Sequence, residues 1–219
     1  MLISKGADAE NINVYGATPL FQLFQPNRES TMTPAAEFIE MLTPHLLSGI
    51  NTQSINGWTP LHRAAAYGTG QDIDSLVKRG ANLTLKTYQE QWTPIFVAVE
   101  FNNIDTFERL AFYSTRSFVQ STDVRGWTML HIAAGLGNSE LIVLLIIHGA
   151  DPHALSCPIA EQSNELVPEN MRGSQLTPTD VAKYSGAETF STYVYGLRSA
   201  GIDISSDPED IFWPVPELN

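Results

Sequence analysis

One short phrase is written five times along this chain of 219 residues. The copies are GATPLFQLF from Gly16, GWTPLHRAA from Gly57, QWTPIFVAV from Gln91, GWTMLHIAA from Gly126 and SQLTPTDVA from Ser174. The shared threonines, Thr18, Thr59, Thr93, Thr128 and Thr177, stand 41, 34, 35 and 49 residues apart. A self-similar period of about 33 residues implies one supersecondary unit repeated, each unit too small to bury its own apolar face. The outer two gaps read as the same period lengthened by insertions of roughly 8 and 16 residues.

The fourth copy shows how a unit is built. It runs DVRGWTMLHIAAGLGNSELIVLLIIHGADPHA, from Asp123 to Ala154. Gly126 suits a turn position with positive φ. Thr128 opens a short helix, its hydroxyl placed to cap free N–H groups. Leu130, Ala133 and Ala134 share one face, and small residues there let helices approach closely. Gly135 to Asn138 breaks the helix. Ser139 is the expected cap of a second helix, with Leu141, Ile142, Leu144 and Leu145 toward the core and Gly149 as its C′ residue. Gly80 fills the equivalent position in the second copy.

These residues resemble the ankyrin-repeat family, whose units run turn, Gly-x-Thr-Pro-Leu-His-x-Ala-Ala, Gly, Leu-Leu, Gly-Ala-Asp. The segment Gly57–Ala65 matches nearly letter for letter, and LVKRGANLT and LLIIHGADPHA match the far end. The resemblance covers nearly the whole chain. It implies an all-α solenoid of about five helix–turn–helix repeats with a truncated or atypical N-terminal unit. The units read as 1–12 (partial), 13–53, 54–87, 88–122, 123–156 and 174–206. An insertion loop occupies 157–173 and a tail 207–219. MLISKGADAENIN matches only the end of a unit, as in a fragment of a longer array or an unusual cap.

The copies also differ. Met129 stands where the others carry Pro19, Pro60, Pro94 or Pro178. Phe96 stands where His62 and His131 do. LAFYSTRSFVQ lacks Gly-Ala-Asp, so a short second helix or an irregular exit is expected in the third unit. Pro44 should kink or restart the second helix of the first unit.

A histidine beside a threonine invites a general-base reading. Repetition argues against it, since a catalytic base would not be replaced by Phe96 in a neighbouring copy. The resemblance instead makes Thr59, Pro60, His62, Thr93, Thr128 and His131 structural, hydrogen-bonding within and between units. His148, His153 and Cys157 lie close in sequence, but the histidines fall in the ordinary exit segment, and no metal is expected. Phosphate-loop, zinc-protease and nucleophile-elbow motifs are absent from the sequence. No cofactor is expected. An enzyme on this scaffold is the remotest reading.

Charge bounds the partners. A formal net charge of −12 opposes nucleic acid and anionic membranes. The longest apolar run stops at His148, short of the roughly 18 residues a spanning helix needs. The N-terminus lacks the apolar stretch of a signal peptide. A single cysteine fits a reducing compartment, so an intracellular site, cytoplasm or nucleus, is expected.

The residue before each repeat threonine is Ala17, Trp58, Trp92, Trp127 or Leu176. Three tryptophans at one position read either as indoles packed over adjacent turns or as a recognition ladder. Tyr67, Phe101 and Leu136 share another position, and Glu90 and Arg125 lie just ahead of their tryptophans. Together they suggest a mixed apolar and aromatic surface on the concave face for a protein or peptide. Ile211, Phe212 and Trp213 are too apolar for a free tail and read as a cap on the last unit or as a linear motif. The expected function is therefore non-catalytic protein–protein recognition by a monomer or a part of a longer chain. The alternative is an architectural or autoinhibitory segment of a multidomain protein.

Overall fold

A computed structural model describes residues 7–26, 35–45, 49–158 and 174–202. The chain divides into two units, Met1–Phe118 and Val119–Asn219, each described by itself below. Ile211, Phe212 and Trp213 lie outside the described residues.

In unit 1 every repeat opens with the threonine. Thr18 precedes α1 (Pro19–Gln22), Thr59 precedes α3 (Pro60–Tyr67) and Thr93 precedes α5 (Pro94–Glu100). Each threonine is extended, and a proline takes the first helical position, where no N–H is needed. The second helices are α2 (Ala35–Leu42), α4 (Gly70–Lys78) and α6 (Ile104–Tyr113). A 3-10 turn, Thr43–His45, continues α2, in keeping with the break expected at Pro44.

First helices stack on first helices, α1 on α3 and α3 on α5. Second helices stack likewise, α2 on α4 and α4 on α6. Leu61, Ala64 and Ala65 are fully buried, as are Ile73, Leu76, Val97, Ala98, Phe107 and Leu110. The alanines permit the close α3–α5 approach. Each large apolar side chain contributes about 1.5–3 kcal/mol of burial.

Polar bonds bind the layers. The Thr106 hydroxyl donates to the Ala65 carbonyl at 2.7 Å, the Asn103 amide to the Gly68 carbonyl at 3.0 Å, and the Gly70 N–H to Asp105 at 2.6 Å. Of the two outcomes expected for the third repeat, a short second helix is not the one found: α6 has ten residues and outruns α4 by one. Its exit is irregular, passing into a 3-10 turn at Arg116–Gln120. Phe118 returns edge-on to Phe107 there, with centroids 6.2 Å apart.

Unit 2 holds two more helix pairs. They are α7 (Met129–Leu136) with α8 (Ser139–Ile147), and α9 (Pro178–Ser185) with α10 (Ala187–Ser199). Again α7 packs on α9 and α8 on α10. Asn138, not Ser139, caps α8. Its side-chain oxygen accepts from the N–H groups of Glu140 and Leu141 at 2.9 and 3.1 Å, and Ser139 is already the first helical residue.

Gly80 and Gly149 end α4 and α8 with φ of +89° and +91°. The next N–H in each case, Ala81 or Ala150, reaches back to Leu76 or Leu145.

Candidate functional site

The turns are closed by one recurring bond. The amides of Asn13, Ser54, Thr87, Asp123 and Ser156 donate to the carbonyls of Ala17, Trp58, Trp92, Trp127 and Leu176, at 2.8–3.1 Å. Ser156 and Leu176 therefore frame the fifth turn. The inserted stretch leaves and re-enters between them, within the turn rather than ahead of it. The Leu176 N–H also donates to the Ser156 hydroxyl at 2.9 Å.

Inside the frames sit the threonine–histidine pairs. The Thr59 N–H donates to His62 Nδ1 at 3.1 Å, and His62 Nε2 faces the Trp92 carbonyl at 3.0 Å. The Thr128 N–H donates to His131 Nδ1 at 3.1 Å, and His131 Nε2 faces the Leu176 carbonyl at 2.9 Å. Burial pushes the His62 pKa down to about 4, against the opposing pull of the carbonyls of Trp92 and Leu85. Burial also lowers that of His131. Both nitrogens of each ring are committed to backbone, so neither ring offers a free base to a substrate.

Phe96 occupies the corresponding place in the third repeat and is 1% exposed. The Thr93 hydroxyl, buried beside it, has no partner among the described residues.

The three tryptophans are half-buried. In unit 1 Trp58 meets Phe101 edge-to-face at 5.9 Å, and Phe101 meets Tyr67 edge-to-face at 5.1 Å. The Arg63 guanidinium lies 4.8 Å from the Tyr67 ring centre and 5.2 Å from that of Phe21. Arg63 Nε donates to the Phe24 carbonyl at 3.0 Å. Burial lowers its pKa. Sequence reasoning passed over Arg63, although its place three residues after a helix-opening proline sets it one turn before Tyr67. Trp92 gives its carbonyl to His62, and Glu90 accepts from the Thr87 hydroxyl at 3.2 Å.

In unit 2 the Trp127 indole stacks on His131, 5.9 Å away with 22° between planes. The Arg125 guanidinium lies over the same indole at 4.2 Å. Arg125 is held by Asp123, whose carboxylate accepts from Nη2 at 2.6 Å and Nε at 2.8 Å. Asp123 also accepts from the backbone amides of Arg125 and Trp127. Leu136 is 44% exposed at the end of α7. The structure thus gathers Trp58, Tyr67 and Phe101 in one unit, and Arg125 and Trp127 in the other.

Among the described residues there is no group of three or more His, Cys, Asp or Glu side chains able to hold a metal ion. No described helix is long and apolar enough to cross a membrane.

Paired helices, the first of each pair opened by an extended threonine, and the framed turns that join them define a helical repeat protein. Comparison with known proteins gives the family. A family model described as ankyrin repeats (3 copies) matches residues 31–118 and 73–156, and the chain belongs to the ankyrin-repeat family. It is 33% identical over 92 residues to alpha-latrotoxin-Lhe1a of Latrodectus hesperus, covering 42% of this chain and 6% of the toxin. It is 27% identical over 152 residues to the human transient receptor potential cation channel subfamily A member 1, covering 68% of this chain and 13% of the channel.

The chain therefore spans only a small part of the length of these relatives. A solved structure of the Bd0816 predatory endopeptidase from Bdellovibrio bacteriovorus in complex with immunity protein Bd3460 contains a similar fold. Its TM-score is 0.62 at 23% identity, with 89% of each chain covered.

Proposed function

We propose that this chain is a non-catalytic protein-recognition module. It would engage a protein or peptide through the face formed by the turns and first helices. The observation that carries this reading is the cluster Trp58–Phe101–Tyr67, half-buried to exposed and braced by Arg63. Large aromatic side chains held stiffly at a surface concentrate binding energy at small entropic cost. Ankyrin repeats are generally protein-interaction modules, and the commitment of His62 and His131 to backbone leaves no free base in their turns.

The test is affinity capture from native lysate with the intact chain and with the Trp58→Ala/Phe101→Ala variant, both checked by circular dichroism. Both rings are partly solvated, so the variant should fold. A partner held by the first and lost by the second supports the reading. Capture of the same proteins by both would remove the cluster from it.

An architectural or autoinhibitory segment within a longer protein is the second reading. The observation favouring it is that the matched stretch makes up only 6–13% of these relatives.

A further inference from the structure

Unit 1 ties its second helices together on their outer side with polar groups. Asp74 of α4 accepts from the Tyr113 hydroxyl of α6 at 2.8 Å and lies 3.3 Å from Arg109 Nε. Unit 2 is built differently. Counted back from the glycines that end the two helices, Gly80 and Gly149, Val143 stands in the place of Asp74 and Ile147 in that of Lys78. The last seven residues of α8, Leu141–Ile147, are all apolar. Leu141, Ile142 and Leu145 serve the core and are fully buried. A helix apolar on every side is ordinarily covered on every side. Ile147 is nevertheless 69% exposed.

The neighbouring helix leaves this side open. Gly196 of α10 sits against Ile142 and the Ser139 carbonyl, and as a glycine it extends nothing toward Val143. Thr189 sits against Gly137. The two contacts advance together, so α8 and α10 run parallel. Helical spacing sets Tyr195 and Ser199 on the solvent side of α10, and Tyr195 is 66% exposed. An outer groove therefore runs between Val143, Ile146 and Ile147 on one helix and Tyr195 and Ser199 on the other. None of these five is charged. Glu140 and Glu188 lie in the first turns of the two helices, at the groove's other end.

The chain leaves α10 at the apolar end. Four residues past Gly196, Ala200 comes level with Ile146, one interhelical spacing of about 8–10 Å away. Gly201 then turns the chain with φ +84°, and the Ile202 N–H reaches back to Leu197. Residues 203–210 can span about 26–29 Å when extended, roughly three times that spacing. Ile211, Phe212 and Trp213 come next.

We infer that Ile211, Phe212 and Trp213 fold back into the groove between α8 and α10 and cover Val143 and Ile147. The acids Asp207, Glu209 and Asp210 precede this trio, so they stay on the exit side, away from Glu140 and Glu188. The tail also holds an advantage over any free partner, because its tether keeps it at a high effective concentration. It is thus a brace of unit 2 and not a linear motif held out to another protein. The inference goes beyond the protein-recognition reading and does not rest on it.

Disulfide trapping in the full chain tests it. Cys157→Ser first removes the exposed native thiol. Phe212→Cys is then combined with either Ile147→Cys or Arg198→Cys. Arg198 is exposed and lies two residues, about 200° of helix, past Gly196, so it points away from α8. It is also nearer the tail along the chain, so an unattached tail would reach it at least as readily. With oxidised glutathione, the Ile147 pair should close within one chain at least about tenfold faster than the Arg198 pair. Equal rates, or a faster Arg198 pair, would overturn the inference. So would closure of the Ile147 pair between two chains, which would give the groove to a second copy.

A second measurement leaves the tail intact in its reference protein. Maleimide labelling of Ile147→Cys, again with Cys157→Ser, should speed up at least about tenfold when Ile211→Ser, Phe212→Ser and Trp213→Ser are added together. An unchanged rate would overturn the inference. Neither measurement involves Trp58 or Phe101, so failure here leaves the protein-recognition reading in place.

Discussion

His62 Nε2 lies 3.0 Å from the carbonyl oxygen of Trp92, thirty residues on and in the next repeat. A carbonyl can only accept, so Nε2 carries the hydrogen. The Thr59 N–H, a donor only, points at Nδ1 from 3.1 Å, so Nδ1 must be bare. The neutral ring is thus fixed in one tautomer by two backbone groups. A second proton would set Nδ1–H against N–H.

That arrangement makes stability depend on pH. The folded pKa of His62 is about 4, below its ordinary value of 6.5. At pH 7 the ring is neutral in both states and the bond is fully present. As pH falls below 6.5 the unfolded chain takes a proton that the folded one refuses, and stability drains until about pH 4. By pH 5 the loss should be on the order of 2 kcal/mol. Urea unfolding from pH 7 to 5 checks it against His62→Gln, which should be less stable at pH 7 but lose less on acidification. Equal slopes for the two proteins would exclude His62 as the source. His131, also depressed by burial, adds a loss of the same sign in both.

Thr93 and Thr59 occupy the same position and should respond oppositely to the same change. The Thr59 hydroxyl lies 2.8 Å from His62 Nδ1, whereas that of Thr93 is buried without a partner beside Phe96. Leaving a buried hydroxyl unpaired costs about 1–3 kcal/mol, and valine has nearly the same shape. Thr93→Val should therefore be neutral or raise stability by up to about 1 kcal/mol. Thr59→Val should cost about 1–2 kcal/mol. Denaturation midpoints of the two variants decide it, and equal losses would mean that the Phe96 substitution had not stranded the hydroxyl.

The repeat was legible because its phrase fixes a turn, a cap and a packing face at once. Thr59, Pro60 and Leu61 each do one of these jobs within three residues. What was not legible depends on register between copies. The third turn, Thr87 to Trp92, carries one residue more than the second, Ser54 to Trp58, so counting back from the tryptophan sets Gln89, not Tyr88, opposite Ile55. The Tyr88 N–H bond to Asn56 shows that Tyr88 is the counterpart of Ile55. The third turn also lacks its glycine. Gln91 takes φ +59° in the place of Gly57, held there by its side-chain bonds to Thr87 and Tyr88. The aromatic cluster was half legible. Tyr67 and Phe101 share a repeat position, and Arg63 lies one turn before Tyr67 on the same helix, but the closeness of Arg63 to Phe21 comes from helix stacking, which no single repeat displays.

The cap of α8 can be tested by two neighbouring alanines. Asn138 satisfies two free amides, whereas Ser139 is already inside the helix. Asn138→Ala should lower stability by about 1 kcal/mol. Ser139→Ala should change it by less than about 0.5 kcal/mol, since alanine is the better helix former. Thermal unfolding of both separates the assignments, and the reverse order would return the cap to Ser139.

Gly57 and Gly80 have nearly the same backbone, φ +80° and +89°, in different surroundings. A methyl group on Gly80 would meet nothing within 4 Å. Gly80→Ala should therefore cost only the left-handed strain of an L-residue, about 1–2 kcal/mol. On Gly57 the same methyl would stand 2.7 Å from the Tyr88 backbone nitrogen and 2.8 Å from its ring. That nitrogen is bonded to the Asn56 carbonyl, so relief requires parting the second turn from the third. Gly57→Ala should cost at least about 1 kcal/mol more than Gly80→Ala, and should speed amide exchange at Tyr88. Equal costs, with Tyr88 exchange unchanged, would show that the two turns are not locked at this point.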